Sequence, residues 1–599
     1  MLHSLDFLLA IPKHGGDGSF KISGELEKMR ELEQINSPTM FVADESKLLK
    51  LRWGKDNLII GGDPIGIETI GRRSSGPGDR FDMPEFLHSV AGHYYAVHLG
   101  GNEGDISVSS SLFSIFPIFW YEDTRFTLVS SSVSLIAALP GVKATINRQF
   151  ILQQMLFNYP LFNDTLYQEI KLLPSNHAIR YYQGELTFLK HTEIADYYTD
   201  NPRPWRQSSS DLTDLFLQTY ERYIPKSKAN ISFTGGFDGR TLVACAQHFG
   251  QDFGAFSFGT RINEDVLIPL KQSRSLGIPF KPIYLDEETY VRKAYYENGK
   301  ELIHLSSDYS NFLYVHFLHS AKLLSEDAPY LFTGYFGSEL FRAFHITGAM
   351  VPRELFSFMA ERDENKWIQR VTSSPKLAYI NLQMFRKELD ELIETLSAYR
   401  KSLLSSTESP SQRFHTLVME EILRKFFGPI IFAQFNYLTV RTPFLDNTFV
   451  KELFLTELAG VNNEFFTQNP VKRLRGQYLY ATVINRTYPG LGQLPTQKGY
   501  RPIDLLSFPG NLRIVYPFFH KRVRRNIGKP NLDNLSIISG LKHAWSNLKG
   551  TRWVSEYYNL ERISQAVENL DSSTEEVRDL VALSFSTSEY LKGHLNAGT

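Results

Sequence analysis

The succession of patterns along 599 residues predicts an α/β protein, with an antiparallel β region first and then a parallel sheet flanked by helices. Two observations carry that prediction. As far as about residue 195, short segments alternate apolar with polar residues, the period-two signature of strands. Beyond residue 205, helical and strand patterns take turns in the βαβ order that builds a parallel sheet. A chain of 599 residues exceeds what one hydrophobic core organises, so several domains are expected, at 1–195, 205–510 and 511–599.

In the first region, His93–Leu99 (HYYAVHL), Asp105–Ser109 (DISVS), Ile118–Tyr121 and Phe126–Ser130 read as strands. The run GGNEGD from Gly100 to Asp105 joins two of them as a hairpin, its glycines supplying positive φ; no helix pattern follows, which argues against a phosphate loop there. Asp196–Asp211 (DYYTDNPRPWRQSSSD) gathers Pro, Ser and Asp as a linker does. An amphipathic helix over Leu212–Tyr223 then leads to a strand, Ala229–Phe233, a Gly-rich turn and a helix, Arg240–Phe249. A strand at Ala255–Phe258, a helix ending near Gly277 and a strand at Pro282–Leu285 continue the alternation. Beyond about residue 345 the pattern is mostly helical, ending in Ser573–Leu595.

Lys plus Arg number 64 against 65 for Asp plus Glu, a formal charge of -1, so no global field recruits nucleic acid or an acidic membrane, and neither is expected as a partner. The single cysteine, Cys245, excludes an internal disulfide framework and any Cys-rich metal centre, and its place inside a helix reads as a buried apolar thiol. The first residues, MLHSLDFLLAIPKHGG, have neither the basic start nor the apolar length of a signal peptide, and no stretch reaches the length of a membrane span. A soluble, unprocessed, cytoplasmic protein is the expectation.

The segment Ile231-Ser232-Phe233-Thr234-Gly235-Gly236-Phe237-Asp238-Gly239-Arg240 carries the most chemistry. A strand stops at two glycines, where backbone N–H groups can approach a phosphate, and a helix N-terminus follows with its dipole toward the anion. Thr234 adds a hydroxyl, and Asp238 is a hard oxygen ligand suited to magnesium. The Lys-Ser or Lys-Thr of a Walker loop is absent.

This loop resembles the Ser-Gly-Gly-x-Asp-Ser pyrophosphate loop of ATP pyrophosphatases. Thr333-Gly334-Tyr335-Phe336-Gly337-Ser338-Glu339-Leu340-Phe341 resembles the second nucleotide segment of the asparagine synthetase family, and Arg441-Thr442-Pro443-Phe444-Leu445-Asp446 resembles its Arg-x-Pro-Phe-Leu-Asp signature. Lys472-Arg473-Leu474-Arg475 and Lys498-Gly499-Tyr500-Arg501-Pro502 resemble that family's Leu-Arg helix and Lys-Gly-Phe loop, in the same order. Upstream, Gly92–Ala96, Ser111–Pro117 with Phe119–Tyr121, Asp164–Tyr167 and Ile170–His177 resemble the class II glutamine amidotransferase domain fused to these synthetases. The resemblance spans about residues 1 to 510. It implies an N-terminal α/β/β/α sandwich of the Ntn-hydrolase kind and a C-terminal adenine-nucleotide α-hydrolase-like sheet.

In glutaminase-competent relatives the nucleophile is an N-terminal cysteine. Here the given chain starts Met1-Leu2-His3 and its first 195 residues hold no cysteine, which resembles β-lactam synthetase and the lasso-peptide cyclases. The resemblance implies that Phe233, Thr234, Gly235, Gly236, Phe237, Asp238, Gly239, Arg240, Phe258, Thr333 and Gly334 cradle ATP, and that Asp238 holds Mg2+ with help from Glu339. Lys498 would stabilise developing charge, and Tyr335 would relay the proton of an attacking amine. Two departures stand out: Ser338 replaces the family's second metal-binding aspartate, and Gly239 replaces the final serine of its loop.

The function implied is an AMP- and pyrophosphate-forming ligase that adenylates a small-molecule or peptide carboxylate for attack by an amine, with a homodimer compatible with that reading. The alternatives are ammonia-dependent amidation of a sugar acid or amino acid, and a nucleotide-binding pseudoenzyme. Glu420 and Glu421 read as surface acids, His316 and His319 as a helix pair with no third zinc ligand nearby, and His520–Arg525 as a solvated basic face.

Overall fold

The computed structural model describes residues 2–13, 28–34, 39–68, 81–100, 105–342, 347–407, 409–463, 470–507, 513–514 and 535–595. Among the described residues, twelve strands build the N-terminal part. They are β1 (Phe7–Pro12), β2 (Arg30–Gln34), β3 (Thr39–Val42), β4 (Leu48–Trp53), β5 (Asp56–Ile65) and β6 (Ala91–Leu99). After them come β7 (Ile106–Ser110), β8 (Phe119–Glu122), β9 (Phe126–Ser130), β10 (Lys171–Leu172), β11 (His177–Tyr182) and β12 (Glu185–Lys190). They form two six-stranded antiparallel sheets, in the orders β10-β8-β9-β1-β3-β2 and β12-β11-β7-β6-β5-β4.

Strand β6 shows why the sheets stack. Its tyrosines alternate: Tyr95 points inward to Phe7 of the other sheet, ring centroids 4.5 Å apart, while Tyr94 points outward to Phe86 of the helix Met83–Ser89 at 6.0 Å. Gly61, opposite Tyr95 in the β5–β6 register, leaves room for its ring, since a Cβ there would lie 2.3 Å from it. The helix Val133–Ala137 follows β9, and the helix Arg148–Phe157 is buried along most of its length. The expected hairpin is present as the antiparallel pair β6–β7, closed by Gly100 N–H donating to Asp105 O at 2.8 Å; residues 101–104 lie outside the described residues.

The helix that opens the second region starts at Trp205, seven residues before the expected Leu212, so the linker is shorter than its composition suggested. Arg203 N–H, bonded to Leu455 O at 2.9 Å, ties the shortened linker down. Five strands then form a wholly parallel sheet: β13 (Ala229–Ser232), β14 (Phe253–Gly259), β15 (Phe280–Tyr284), β16 (Tyr330–Phe332) and β17 (Thr439–Arg441). Their order, β15-β14-β13-β16-β17, reverses direction between β13 and β16. That reversal is the switch point at which open α/β sheets leave a crevice beyond their carboxyl ends.

The C-terminal helices pack back on both regions. In Glu575–Leu595, Thr587 Oγ1 donates to Gln154 at 2.9 Å and Glu589 accepts from Tyr296 at 2.8 Å. Among the described residues, no helix is long and apolar enough to cross a membrane.

Candidate functional site

A cavity of about 200 Å³ opens at the switch point, lined by the ends of three strands: Ser232 and Thr234 after β13, Phe256 and Phe258 on β14, Thr333 and Gly334 after β16. Asp238, at the start of the helix Asp238–His248, contributes the cavity's carboxylate. The β13 and β16 turns touch, because a Cβ on Gly334 would lie 2.6 Å from Asp238 Cβ. Gly239 abuts the strand end, where a Cβ would meet Ser232 O at 2.2 Å, which is why this chain has no serine there. Phe336, buried and left-handed at φ 70°, turns the chain into the helix Gly337–Phe341, a strain of the kind that functional loops retain.

The polar groups facing this space are incompletely bonded. Thr333 Oγ1, Ser320 Oγ and Gln434 Oε1 are buried without hydrogen bonds, as is Asp238 Oδ1. Buried polar atoms left so cost about 1–3 kcal/mol each, which a polar ligand would recover. The other oxygen of Asp238 accepts from Ser338 Oγ at 2.9 Å. Burial, reinforced by the Asp238 charge, raises the Glu339 carboxyl to about 7. Among the described residues, no group of three or more His, Cys, Asp or Glu could hold a metal ion; a cation on Asp238 therefore needs oxygens from Glu339, water or a ligand.

The Lys498 loop closes on the Gly-Gly turn. Gln497 N–H donates to Gly235 O at 2.9 Å, while Gly235 N–H is held by Asp265 Oδ1 at 3.2 Å. Thr496 and Tyr500 pair across the turn at 2.9 Å with Gly499 at φ 87°, which leaves Lys498 exposed at the tip. Gly236 has open space around it, with nothing but Thr234 Oγ1 within 4 Å of a Cβ.

Four of the residues named from sequence sit elsewhere or act otherwise. Arg240 is wholly buried and donates to Leu491 O and Pro495 O at 3.3 and 3.4 Å, away from the cavity; burial lowers its guanidinium to about 10. Phe233 packs under that guanidinium at 5.8 Å, and Phe237 packs on Tyr480 and Tyr500, so both are core. Tyr335 does line the cavity, but its polar neighbour is the Gln434 amide rather than a carboxylate; burial raises its pKa, with the Gln434 hydrogen bond opposing.

Glu420 and Glu421 are not surface acids. Glu421 is buried against Arg424 and Lys425 and accepts from Phe162 N–H at 2.8 Å. Glu420 is largely covered and faces Lys190 at 3.5 Å. His316 packs tilted against Phe258 at 4.8 Å and His319 bonds Asn298 at 3.0 Å, as a helix pair would. Cys245 is buried, which raises its thiol. His520–Arg525 and the side chains of Lys472 and Arg473 lie outside the described residues.

No family model matches the chain, and no curated protein matches it. Among the solved structures found similar are a glutamine phosphoribosylpyrophosphate amidotransferase from B. subtilis complexed with ADP and GMP, and the allosteric regulatory enzyme of purine biosynthesis. Each alignment has 9% identity over 47% of this chain, with TM-scores of 0.18 and 0.19. The alignments span 66% and 65% of those chains, just under two thirds of their length. Such values carry no statement about family or activity.

Ser320, Phe317, Gln434 and Asp265 were missed from sequence. The signal was present for one of them, since Gln434 is the polar residue in an otherwise apolar helical run, GPIIFAQ.

Proposed function

We propose that this chain is an ATP-dependent ligase that activates a carboxylate as an acyl-adenylate, with loss of pyrophosphate, and passes the acyl group to an amine with loss of AMP. The observation that supports it most is the half-bonded Asp238 on a glycine-walled floor at the sheet's switch point, with the Lys498 loop closed on the adjoining Gly235. Phe258, with Phe317 behind it, offers an aromatic wall to a nucleotide base, and Thr333 a free hydroxyl. The turn at Gly236, whose N–H donates to Thr234 Oγ1 at 3.3 Å, and the start of the following helix would offer a phosphate backbone amides and a dipole. Asp238, with Glu339 once ionised, would hold magnesium, which would supply charge neutralisation on the phosphates. Lys498 would bring a cation to the same oxygens. The carboxylate is proposed to come from a peptide or other natural-product precursor, with a sugar acid or amino acid amidated by ammonia as the alternative.

A second reading, nucleotide binding without turnover, draws on two contacts: Ser338 already donates to Asp238, and Asp265 already occupies the Gly235 amide. Pyrophosphate release from ATP and Mg2+ across a panel of carboxylates, with and without amines, separates the two. Carboxylate-dependent release that falls at least about a hundredfold in Asp238→Ala and Lys498→Ala is expected for the ligase. ATP binding with no release would move the assignment to the second reading, and no ATP binding would sink both.

A further inference from the structure

The side of the cavity nearest the N-terminal sheets is held by contacts that begin outside it. Asp63, on β5, accepts from Arg441 Nε and Nη2 at 2.7 and 2.9 Å. The two side chains are 14% and 10% exposed, so this is a desolvated, bidentate pair rather than a rim contact. The same guanidinium donates to Tyr223 O and lies 4.6 Å over the ring of Tyr330, the first residue of β16. Next to it, Thr442 Oγ1 is 2.7 Å from His93 Nε2 on β6.

Arg441 ends β17, where it pairs with Phe332, and its carbonyl accepts the N–H of Thr333 at 3.2 Å. Thr333 is the residue whose unbonded hydroxyl faces the cavity. Strand β17 is three residues long and lies at the edge of the sheet, paired to β16 alone. So short an edge strand is weakly held by its own ladder, and a clamp from the neighbouring sheet decides where it sits.

We propose that Asp63 is a positioning residue for the candidate nucleotide cavity: through Arg441 it fixes β17, and through the Arg441 carbonyl it sets the Thr333 hydroxyl. The inference rests on the reading above for the identity of the ligand, but the placement of Thr333 does not. It gives the N-terminal sheets work that needs no glutamine chemistry: they complete the edge of the sheet that forms the site.

The test compares Asp63→Asn, which removes the charge, with Asp63→Glu, which restores a two-oxygen acceptor. Arg441→Lys keeps the charge and loses the fork, and serves if Asp63→Asn does not fold. Arg222→Gln is the control, because it cuts a second ion pair of the same segment, Arg222–Asp446 at 2.7 Å, that does not lead to the cavity. Three quantities are read: amide hydrogen exchange, ATP Kd and Tm. Asp63→Asn and Arg441→Lys should speed exchange at Thr333 and along β16–β17, leave β14–β15 unchanged, and raise the ATP Kd by about 3- to 30-fold. Asp63→Glu should recover most of both effects, and Arg222→Gln should lower Tm alone. Unchanged exchange at Thr333 would overturn the proposal, as would an ATP Kd that follows Tm equally in Asp63→Asn and Arg222→Gln. If the wild-type protein binds no ATP, the ligase reading fails and the exchange at Thr333 still decides the positioning role.

Discussion

Glu421, at the seam between the N-terminal sheets and the helical part, and Asp238, on the cavity floor, are both acids withdrawn from water, yet their surroundings differ. Glu421 meets Arg424 at 3.2 Å, Lys425 more closely still, and a backbone N–H at 2.8 Å. Burial pushes its carboxyl up, but those two charges and that N–H pull it below the ordinary range. Asp238 receives one hydroxyl and keeps one oxygen unbonded, and burial, reinforced by the Asp238 charge, raises the neighbouring Glu339 to about 7. Glu421 is thus matched by two cations and an N–H where the regions join, while Asp238 keeps an oxygen unbonded at the cavity. Replacing residues on each side should therefore separate stability from ligand binding.

The largest effect belongs to the seam. Glu421→Ala would strand Arg424 and Lys425, 5% and 1% exposed, beside the Phe162 and Leu173 carbonyls. A loss of about 3–5 kcal/mol is expected on urea unfolding, with the ATP Kd of the folded protein unchanged. A nucleotide defect at normal stability would erase the contrast between the two regions.

His93 offers a gentler handle on the same seam. Burial lowers its imidazole to about 3, so it is neutral in the folded protein and titrates near its usual value in the unfolded chain. Its contribution is present above about pH 6.5 and is lost as pH falls toward 3, at about 1.4 kcal/mol per pH unit. Between pH 6.5 and 4 the wild-type protein should lose about 3 kcal/mol more than His93→Gln does. Parallel stability profiles for the two proteins would remove His93 from the account.

The parts of this fold that could be read in the sequence are those with long periodic signals. The Tyr94/Tyr95 alternation of β6, the β6–β7 hairpin and the strand, turn and helix around Gly235 are legible in the residues themselves. Strands β16 and β17 are three residues each, too short for a period to show, and with them the switch point that places the cavity was invisible. Arg240 misled for a geometric reason. Two residues past Asp238 on a helix it faces the opposite side, so a cation adjacent in sequence became a brace for the 491–495 segment. Glu421 misled because its partners, three and four residues later, are themselves buried by a sheet distant in sequence. The Asp63–Arg441 clamp joins positions 378 residues apart, which no local pattern encodes.

The smallest expected effect is the sharpest for the comparison, because its two halves should have opposite signs. Thr333 Oγ1 is buried without a partner, so Thr333→Val, nearly the same shape without the hydroxyl, should leave the unliganded protein as stable or about 1 kcal/mol more stable. If that hydroxyl is kept for a ligand, the same substitution should weaken ATP binding about fivefold to tenfold, the loss of one neutral hydrogen bond. Thermal unfolding with and without ATP reads both halves in one experiment, since binding raises Tm by mass action. A stabilised variant with a smaller ATP-induced shift is the result expected of a site that holds a polar atom in reserve. A variant that loses stability and binds ATP as well as the parent would mean that Thr333 is bonded within the fold, and that the cavity wall is as self-sufficient as the seam.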